Sequence, residues 1–549
     1  MKHKILIQFM VIIFLSAYAK AIPFKGSEII ISAPSPYAVE VGRQIALTGG
    51  NVVDVAVAVA LTLSVTSPYF ASLGGGGLAL VKMDSNIEAL DFREVAPKAT
   101  NKDFYQNLGK EASMKGGSAV GVPGIPAGLW ELHKKYGKLN WRSLFQGAFK
   151  VSKDGFRVSG EWVDFTESMK DVFDAGGIKH FLKSDKSVIK PGEVFRQWFL
   201  SRALMAFRDK NLKGFYTGPV ARDIVDSVKK TGGVLSMEDL AAYKVRWLTP
   251  MSTQLKDHTI YLMPPPSSGG VVIQSAIELA KRVNLDKQIM FSNDEFHLLG
   301  EVLSRAFKGR ALLGDPDFTK NPIVQLLSRD YLDKISKTIS IARTTDLGSV
   351  DINKKESTET THFNVMDKKG NTVSMTITLN GSYGSGVVTD DYGIALNNEM
   401  DDFTTHPNEP NNYGLIQGTA NFVESGKRPL SSMSPTIVEK DGQTVLSLGA
   451  PGGPRIISGV FQVLYRVLVN GLDIDQAIQA PRVHHQFRPH KLMLDRDRFT
   501  PETQKALKDK GHQLELVGAV AKVYGITRSI DGSLQGSFDS RGEGSVGGY

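Results

Sequence analysis

Cysteine is absent from this 549-residue chain. That absence removes a disulfide framework, a thiol nucleophile and any thiolate metal site together. Long apolar runs are also missing, because no segment after the N-terminal stretch reaches membrane-spanning length without charges. The formal charge is +8, yet lysine and arginine occur singly or in pairs such as Lys229-Lys230 and Lys354-Lys355, never as a run of five. A nucleic-acid patch is therefore unsupported, and a solvated basic surface is the better reading. Several motifs fail too. There is no Gly-x-Ser-x-Gly elbow and no His-Glu-x-x-His. Gly74 to Gly77 lack a following Gly-Lys-Ser/Thr and the GxGxxG spacing, so tight chain passage is their expected role rather than a phosphate cradle. His484-His485 and His297/Glu301 bring no third ligand at a telling spacing, so structural or surface histidines are the better reading. With cysteine missing, a nucleophile must be Ser, Thr or a carboxylate.

What remains is ordinary globular material. Hydrophobic residues make up 41% and charged residues 22%, and the length calls for two or more packed units or one large layered domain. The start of the chain reads as a secretory signal. Lys2 and Lys4 precede the apolar run Ile5 to Leu15, and Ala17-Tyr18-Ala19 or Ala19-Lys20-Ala21 offers small residues for cleavage. The mature protein is thus expected to be exported, periplasmic or secreted, with no membrane attachment once residues 1–21 are removed. Without disulfides, core burial alone must hold it together.

Along the chain, Asp54 to Val65 is an Ala/Val-rich stretch whose alanines favour a buried helix ending at Pro68. A strand follows over Leu78 to Met83. Residues 100–250 read as helical, with turns at Gly116-Gly117, Pro123-Gly124, Gly176-Gly177 and Gly232-Gly233. A Pro/Ser/Gly loop at 264–270 leads into a helix over Val271 to Ala280. From Thr360 onward the texture changes to short strands, with one helix from about Arg455 to Asn470 and a strand-rich close. The polar segment 351–359 is the best boundary.

The most informative stretch is Thr360-Thr361-His362-Phe363. It opens an alternating strand, turns at residues 367–371, and returns as a second strand from Thr372 to Leu379. In that strand Val373, Met375, Ile377 and Leu379 share one face, and Thr372, Ser374, Thr376 and Thr378 share the other. Alone this is a hairpin with a row of hydroxyls, since threonine favours strands in any case.

Ten short strings in order raise its standing. They are GGNVVDVAVAVAL at 49–61, LGGGG at 73–77, LDFREVAP at 90–97, VGVPG at 120–124, PPPSSGG at 264–270, TTHFNVMD at 360–367, NNEMDDF at 397–403, KRPLSSMSPTIV at 427–438, GAPGGPRII at 449–457 and APRVHHQ at 480–486. In this set the chain resembles the γ-glutamyltransferases (γ-glutamyltranspeptidases) of the N-terminal-nucleophile hydrolase superfamily. The likeness covers nearly everything after the signal.

The resemblance implies a four-layer αββα sandwich of the α+β class. It also implies a precursor that cuts itself between Glu359 and Thr360, giving a large fragment (22–359) and a small one (360–549) that stay together as a heterodimer. No cofactor and no metal are implied. A threonine hydroxyl is a weak nucleophile, but a freed α-amino group has a pKa of about 7.7–8.0 and can take the proton of its own residue's hydroxyl. Thr360 would be nucleophile and base together, Thr378 would orient its hydroxyl, and the N–H groups of Gly452 and Gly453 would hold the oxyanion. Arg93 would grip the α-carboxylate of a γ-glutamyl group with help from Ser431 and Ser432, while Asp402, Glu399 and Asn380 would receive its ammonium. Tyr413, in the loop from Pro410 to Lys427, resembles the family's lid over a small-substrate pocket. The implied donors are glutathione and its conjugates, and the acceptors are water, amino acids or peptides.

Departures from the family pattern fall at Glu399, where relatives carry Gln or Glu, at Pro454, where Ser is commoner, and at Phe70-Ala71-Ser72. The tail from Gly518 matches loosely. They bear on acceptor preference and rate. Two rival readings are a related acylase, acting on cephalosporin side chains or poly-γ-glutamate, and a non-catalytic envelope binding protein.

Overall fold

The computed structural model describes residues 23–26, 28–345 and 360–549. The Ala/Val-rich stretch forms the helix Val52–Thr66, and every one of its residues is buried. Its start is fixed by Asn51, whose side chain accepts the N–H groups of Val53 and Asp54 while the Asp54 carboxylate accepts the N–H of Asn51. Inside the helix the hydroxyls of Thr62, Ser64 and Thr66 donate to carbonyls four residues back. These bonds let polar side chains sit in an apolar layer without an orphaned donor.

Two seven-stranded sheets form the centre. The first runs in the order Ser545–Gly548, Ile29–Ala33, Thr361–Asp367, Thr372–Thr378, Gly76–Met83, Asn86–Phe92 and Arg246–Leu248. The second runs Phe24–Gly26, Leu534–Phe538, Tyr524–Arg528, Gln443–Gly449, Thr436–Lys440, His258–Leu262 and Met251–Leu255. Each sheet therefore draws strands from both sides of residue 360. The expected hairpin is present, with Thr361 opposite Ile377 and Met366 opposite Thr372.

Alternation along these strands sorts the layers. Val373, Met375, Ile377 and Leu379 join a core with the helices Pro36–Leu47, Val52–Thr66 and Ile125–Tyr136. On the far side, Ile260, Leu262, Val438, Leu446 and Leu448 pack with the helices Gly269–Arg282, Asn293–Lys308 and Arg455–Leu468. The hydroxyl-bearing face points between the sheets, where polar bridges join them. Ser374 Oγ donates to the Leu448 carbonyl at 3.1 Å, Asn364 Nδ2 to the Tyr524 carbonyl at 3.0 Å, and Ser32 Oγ to the Ser537 carbonyl at 2.8 Å. The result is one layered αββα sandwich.

The glycine quartet closes the first sheet around the site by close approach. A Cβ on Gly74 would lie 2.2 Å from the Ala395 carbonyl oxygen, and one on Gly75 would lie 2.0 Å from that of Thr378. One turn expectation fails. Gly176 and Gly177 begin the helix Ala175–Phe181, capped by Asp174, and Gly176 is needed because a Cβ would meet the Val388 carbonyl oxygen at 1.9 Å. The closing segment also holds a helix, Pro501–Asp509, beside its strands. Among the described residues no helix is long and apolar enough to cross a membrane. The signal segment, the 351–359 boundary and Glu359 lie outside the described residues.

Candidate active site

The lead-in to the hairpin puts Thr360 at the rim of the inter-sheet layer, 4% exposed. Its Oγ1 lies 3.3 Å from Oγ1 of Thr378, the last residue of the neighbouring strand. Asn380, in the left-handed region with φ +72°, turns the chain so that its N–H donates to Thr378 Oγ1 at 2.9 Å. A hydroxyl that accepts this bond can still donate its own hydrogen toward Thr360. His362, two residues on, is no base for Thr360. It is wholly buried between the sheets, bonded to Thr376 and Asn364, and its pKa is lowered to about 3 chiefly by burial.

Thr360, Thr378, Asn380, Arg93, Glu399, Asp402, Tyr413, Ser431, Ser432 and Gly453 all line one cavity of about 20 Å³. Gly452 stands just outside that lining. Gly452 and Gly453 have φ +130° and +55° and lead, through Pro454, into the helix Arg455–Leu468. A Cβ on Gly453 would meet the Tyr413 ring at 2.6 Å, so glycine is required there on both counts. The cavity has room for about one water, so a γ-glutamyl-sized group enters only if a wall moves.

Tyr413 is the obvious wall. Its hydroxyl donates to the Asn380 carbonyl, and its own carbonyl accepts Gln486 Nε2 at 3.0 Å. Gln486 in turn meets His484 at 2.9 Å, and His484 meets Ser458 at 2.7 Å on the helix that follows the two glycines. The APRVHHQ segment thus ties the Tyr413 loop to that helix. Burial lowers the His484 pKa to about 3, so it serves as a neutral link.

At the other end sits a buried charge cluster. Arg93 pairs with Glu399, and its Nη2 donates to Asp402 at 2.6 Å, with Glu94 at 3.7 Å. Three carboxylates around one guanidinium cannot all ionise cheaply out of water. Burial and the neighbouring acids outweigh Arg93, so Glu94 rises to about 7 and Glu399 also rises well above its ordinary value. Ser431 and Ser432 are seated by the 264–270 loop. Ser268 donates to the Ser431 carbonyl from both its N–H (2.8 Å) and its Oγ (2.7 Å), and Ser267 Oγ donates to the Met433 carbonyl at 2.7 Å.

Sequence reasoning missed Glu94, Leu415, Arg310 and Gln417. Glu94 stood in the open beside Arg93, within LDFREVAP. Arg310 and Gln417 sit far apart in sequence with no local pattern, and only the fold brings them under Ser432. Among the described residues no group of three or more His, Asp or Glu could hold a metal ion.

Comparison with known proteins fits this geometry. The profile of the family described as Gamma-glutamyltranspeptidase matches residues 38–549. The glutathione hydrolase proenzyme of Escherichia coli (strain K12) is 38% identical, covering 94% of this chain and 91% of the relative. Glutathione hydrolase 3 of Arabidopsis thaliana is 34% identical over 91% of this chain and 81% of its own length. Among solved structures, a cephalosporin acylase from Bacillus halodurans superposes with a TM-score of 0.85 at 25% identity, covering 97% of this chain and 98% of that one. A gamma-glutamyltranspeptidase from Pseudomonas nitroreducens gives a TM-score of 0.55 at 35% identity, covering 57% and 95%.

Proposed function

Since the chain belongs to the γ-glutamyltranspeptidase family, we propose that it is an exported γ-glutamyltransferase and glutathione hydrolase that matures by cutting itself before Thr360. The freed amine of Thr360 takes the proton from Oγ1 as that oxygen attacks the γ-carbonyl of glutathione or a conjugate. The oxyanion forms against the N–H groups of Gly452 and Gly453, where a helix start favours negative charge. Collapse returns the proton to the departing amine and leaves a γ-glutamyl ester on Thr360. Water then releases glutamate, or an amino acid or peptide amine takes the acyl group.

The observation that carries this reading is the shared cavity lining, which spans a hydroxyl pair, a glycine at a helix start and an Arg–carboxylate cluster. The cluster suits a zwitterion. Its α-carboxylate can replace Glu399 and Asp402 on Arg93 while its ammonium takes up those acids, so every charge keeps a partner. The Escherichia coli relative is named as a proenzyme, which supports maturation by cleavage.

The test is a denaturing gel of purified protein beside Thr360→Ala, together with release of anilide from a γ-glutamyl anilide. Two bands and activity are expected for the wild type, with one band and none for the variant. A variant that still splits at the same bond refutes the assignment. The likeness to a cephalosporin acylase favours one rival. A glutaryl anilide lacks the ammonium that Asp402 would hold, so a preference for it over the γ-glutamyl anilide would decide for the rival.

A further inference from the structure

Beneath the cavity lies a second buried cation. Arg310 follows the helix Asn293–Lys308 and is 3% exposed. Its three donors all reach neutral acceptors. Nε donates to Ser268 Oγ at 3.1 Å, Nη1 to Gln417 Oε1 at 3.0 Å and Nη2 to Ser432 Oγ at 3.3 Å. It forms no ion pair among the described residues. A neighbouring cavity of about 140 Å³, which Arg310 also lines, adds Lys308 and Arg488 and no acid. A buried charge left without a counterion is costly, and such groups usually either neutralise or serve a ligand. Burial lowers this guanidinium only to about 10, with Asp402 holding it up, so it stays charged near neutrality.

The three bonds have directional consequences. A serine hydroxyl that accepts from Arg310 keeps its own hydrogen to give, and Ser432 lines the catalytic cavity. Gln417 Oε1 accepts from Arg310 and from Asn421 Nδ2 at 3.0 Å, which fixes the amide so that Nε2 donates to the Asp402 carbonyl at 2.7 Å. One cation therefore seats the serine on the carboxylate side of the pocket and, through Gln417, the main chain that carries the acid on the ammonium side. It also adds a positive charge close to Asp402 and Arg93, which favours an incoming α-carboxylate.

We propose that Arg310 is a positioning residue for the donor, aiming the Ser432 hydroxyl at the α-carboxylate and fixing the Asp402 main chain through Gln417, and that it adds a second positive charge beside the one Arg93 offers. This inference rests on the γ-glutamyl reading above. It makes Arg310 a determinant of donor affinity and not of the chemical step.

The test measures γ-glutamyl anilide kinetics, and competitive inhibition by free L-glutamate, in wild type, Arg310→Met, Arg310→Lys, Ser432→Ala and the Ser432→Ala/Arg310→Met double variant. Removing charge-assisted hydrogen bonds of this kind predicts a rise in KM and in the glutamate inhibition constant on the order of 10- to 100-fold for Arg310→Met, with kcat changed less than about threefold. Arg310→Lys keeps the charge without the fork and should fall between. In the Ser432→Ala background the Met substitution should cost measurably less, because part of its route is gone. Equal loss in both backgrounds, an unchanged inhibition constant, or a fall in kcat at constant KM overturns the proposal. Should Arg310→Met fail to fold, Arg310→Lys with a wild-type melting curve carries the same comparison. A wild type that releases no anilide sinks the functional reading itself. An active wild type with indifferent Arg310 variants sinks only this inference.

Discussion

Gly75→Ala is the sharpest way to ask whether the sheet holds the proposed reacting hydroxyls in place. The added Cβ would stand 2.0 Å from the Thr378 carbonyl oxygen, where ordinary contact begins at 3.4 Å, a shortfall of 1.4 Å. Gly75 cannot simply retreat. Its own carbonyl accepts the N–H groups of Gly124 and Ile125 at 2.8 and 2.9 Å, at the start of the helix Ile125–Tyr136. The end of the Thr372–Thr378 strand must yield instead, carrying Thr378 on the order of 1 Å from its 3.3 Å approach to Thr360. Overpacking of this kind costs about 1–3 kcal/mol of stability. A displacement of about 1 Å at a reacting group costs on the order of 100-fold in rate. The assay pairs thermal melting with two activity readouts, band splitting on a denaturing gel and anilide release, and both activities should fall together. Gly160→Ala, at a helix start with open space around it, is the control and should match wild type. Gly75→Ala with wild-type melting and turnover would refute the claim that this close approach positions Thr378.

Three further outcomes follow from the geometry. Thr378→Val strips the acceptor from the buried Asn380 N–H, at about 1–3 kcal/mol, and removes the partner of Thr360. Thr378→Ser keeps both, so it should split and turn over near wild-type rates while the valine variant does neither. Glu94, raised to about 7 from an ordinary 4.5, holds its proton in the folded state where the unfolded chain has lost it. Its contribution to stability is therefore complete below about pH 4.5 and declines as pH rises to about 7. Melting curves of wild type and Glu94→Gln should accordingly diverge across that window, the wild type losing ground as pH rises, and a constant offset refutes the assignment. His362, His484 and His512 are each lowered to about 3, chiefly by burial. The unfolded chain protonates them below about 6.5, so each costs about 1.4 kcal/mol per pH unit on acidification toward 3. Unfolding near pH 5 should take up protons in calorimetry, and unfolding without uptake would contradict their buried, neutral state.

Much of this was readable beforehand wherever local periodicity carried the information. The threonine hairpin declared its two faces because side chains alternate every second residue, and the Val52–Thr66 helix declared itself through its alanines, while its Asn51 cap emerged only with the fold. The glycine quartet was readable as close passage because no phosphate-loop partner followed it. What could not be read is what depends on non-local approach. Gly176-Gly177 looked like a turn, and only the close approach of the Val388 carbonyl to Gly176 and of the Phe173 side chain to Gly177 explains glycines inside a helix. Arg93 stood out as a candidate clamp through the family resemblance, but that it is bound to Glu399 and Asp402 depends on chain segments more than three hundred residues apart. Arg310 had no signature, since an isolated arginine after a helix normally faces water.

Strands drawn from either side of residue 360 are interleaved in both sheets, so the chain is woven before any bond within it is broken. A break there would leave two polypeptides that cannot part without dismantling the whole sandwich. It would also erase the tether that first brought them into register. Reassembly from the denatured state would then become a search between two separate molecules, slower as the solution grows more dilute, so that persistence once unfolding begins would be a matter of kinetics.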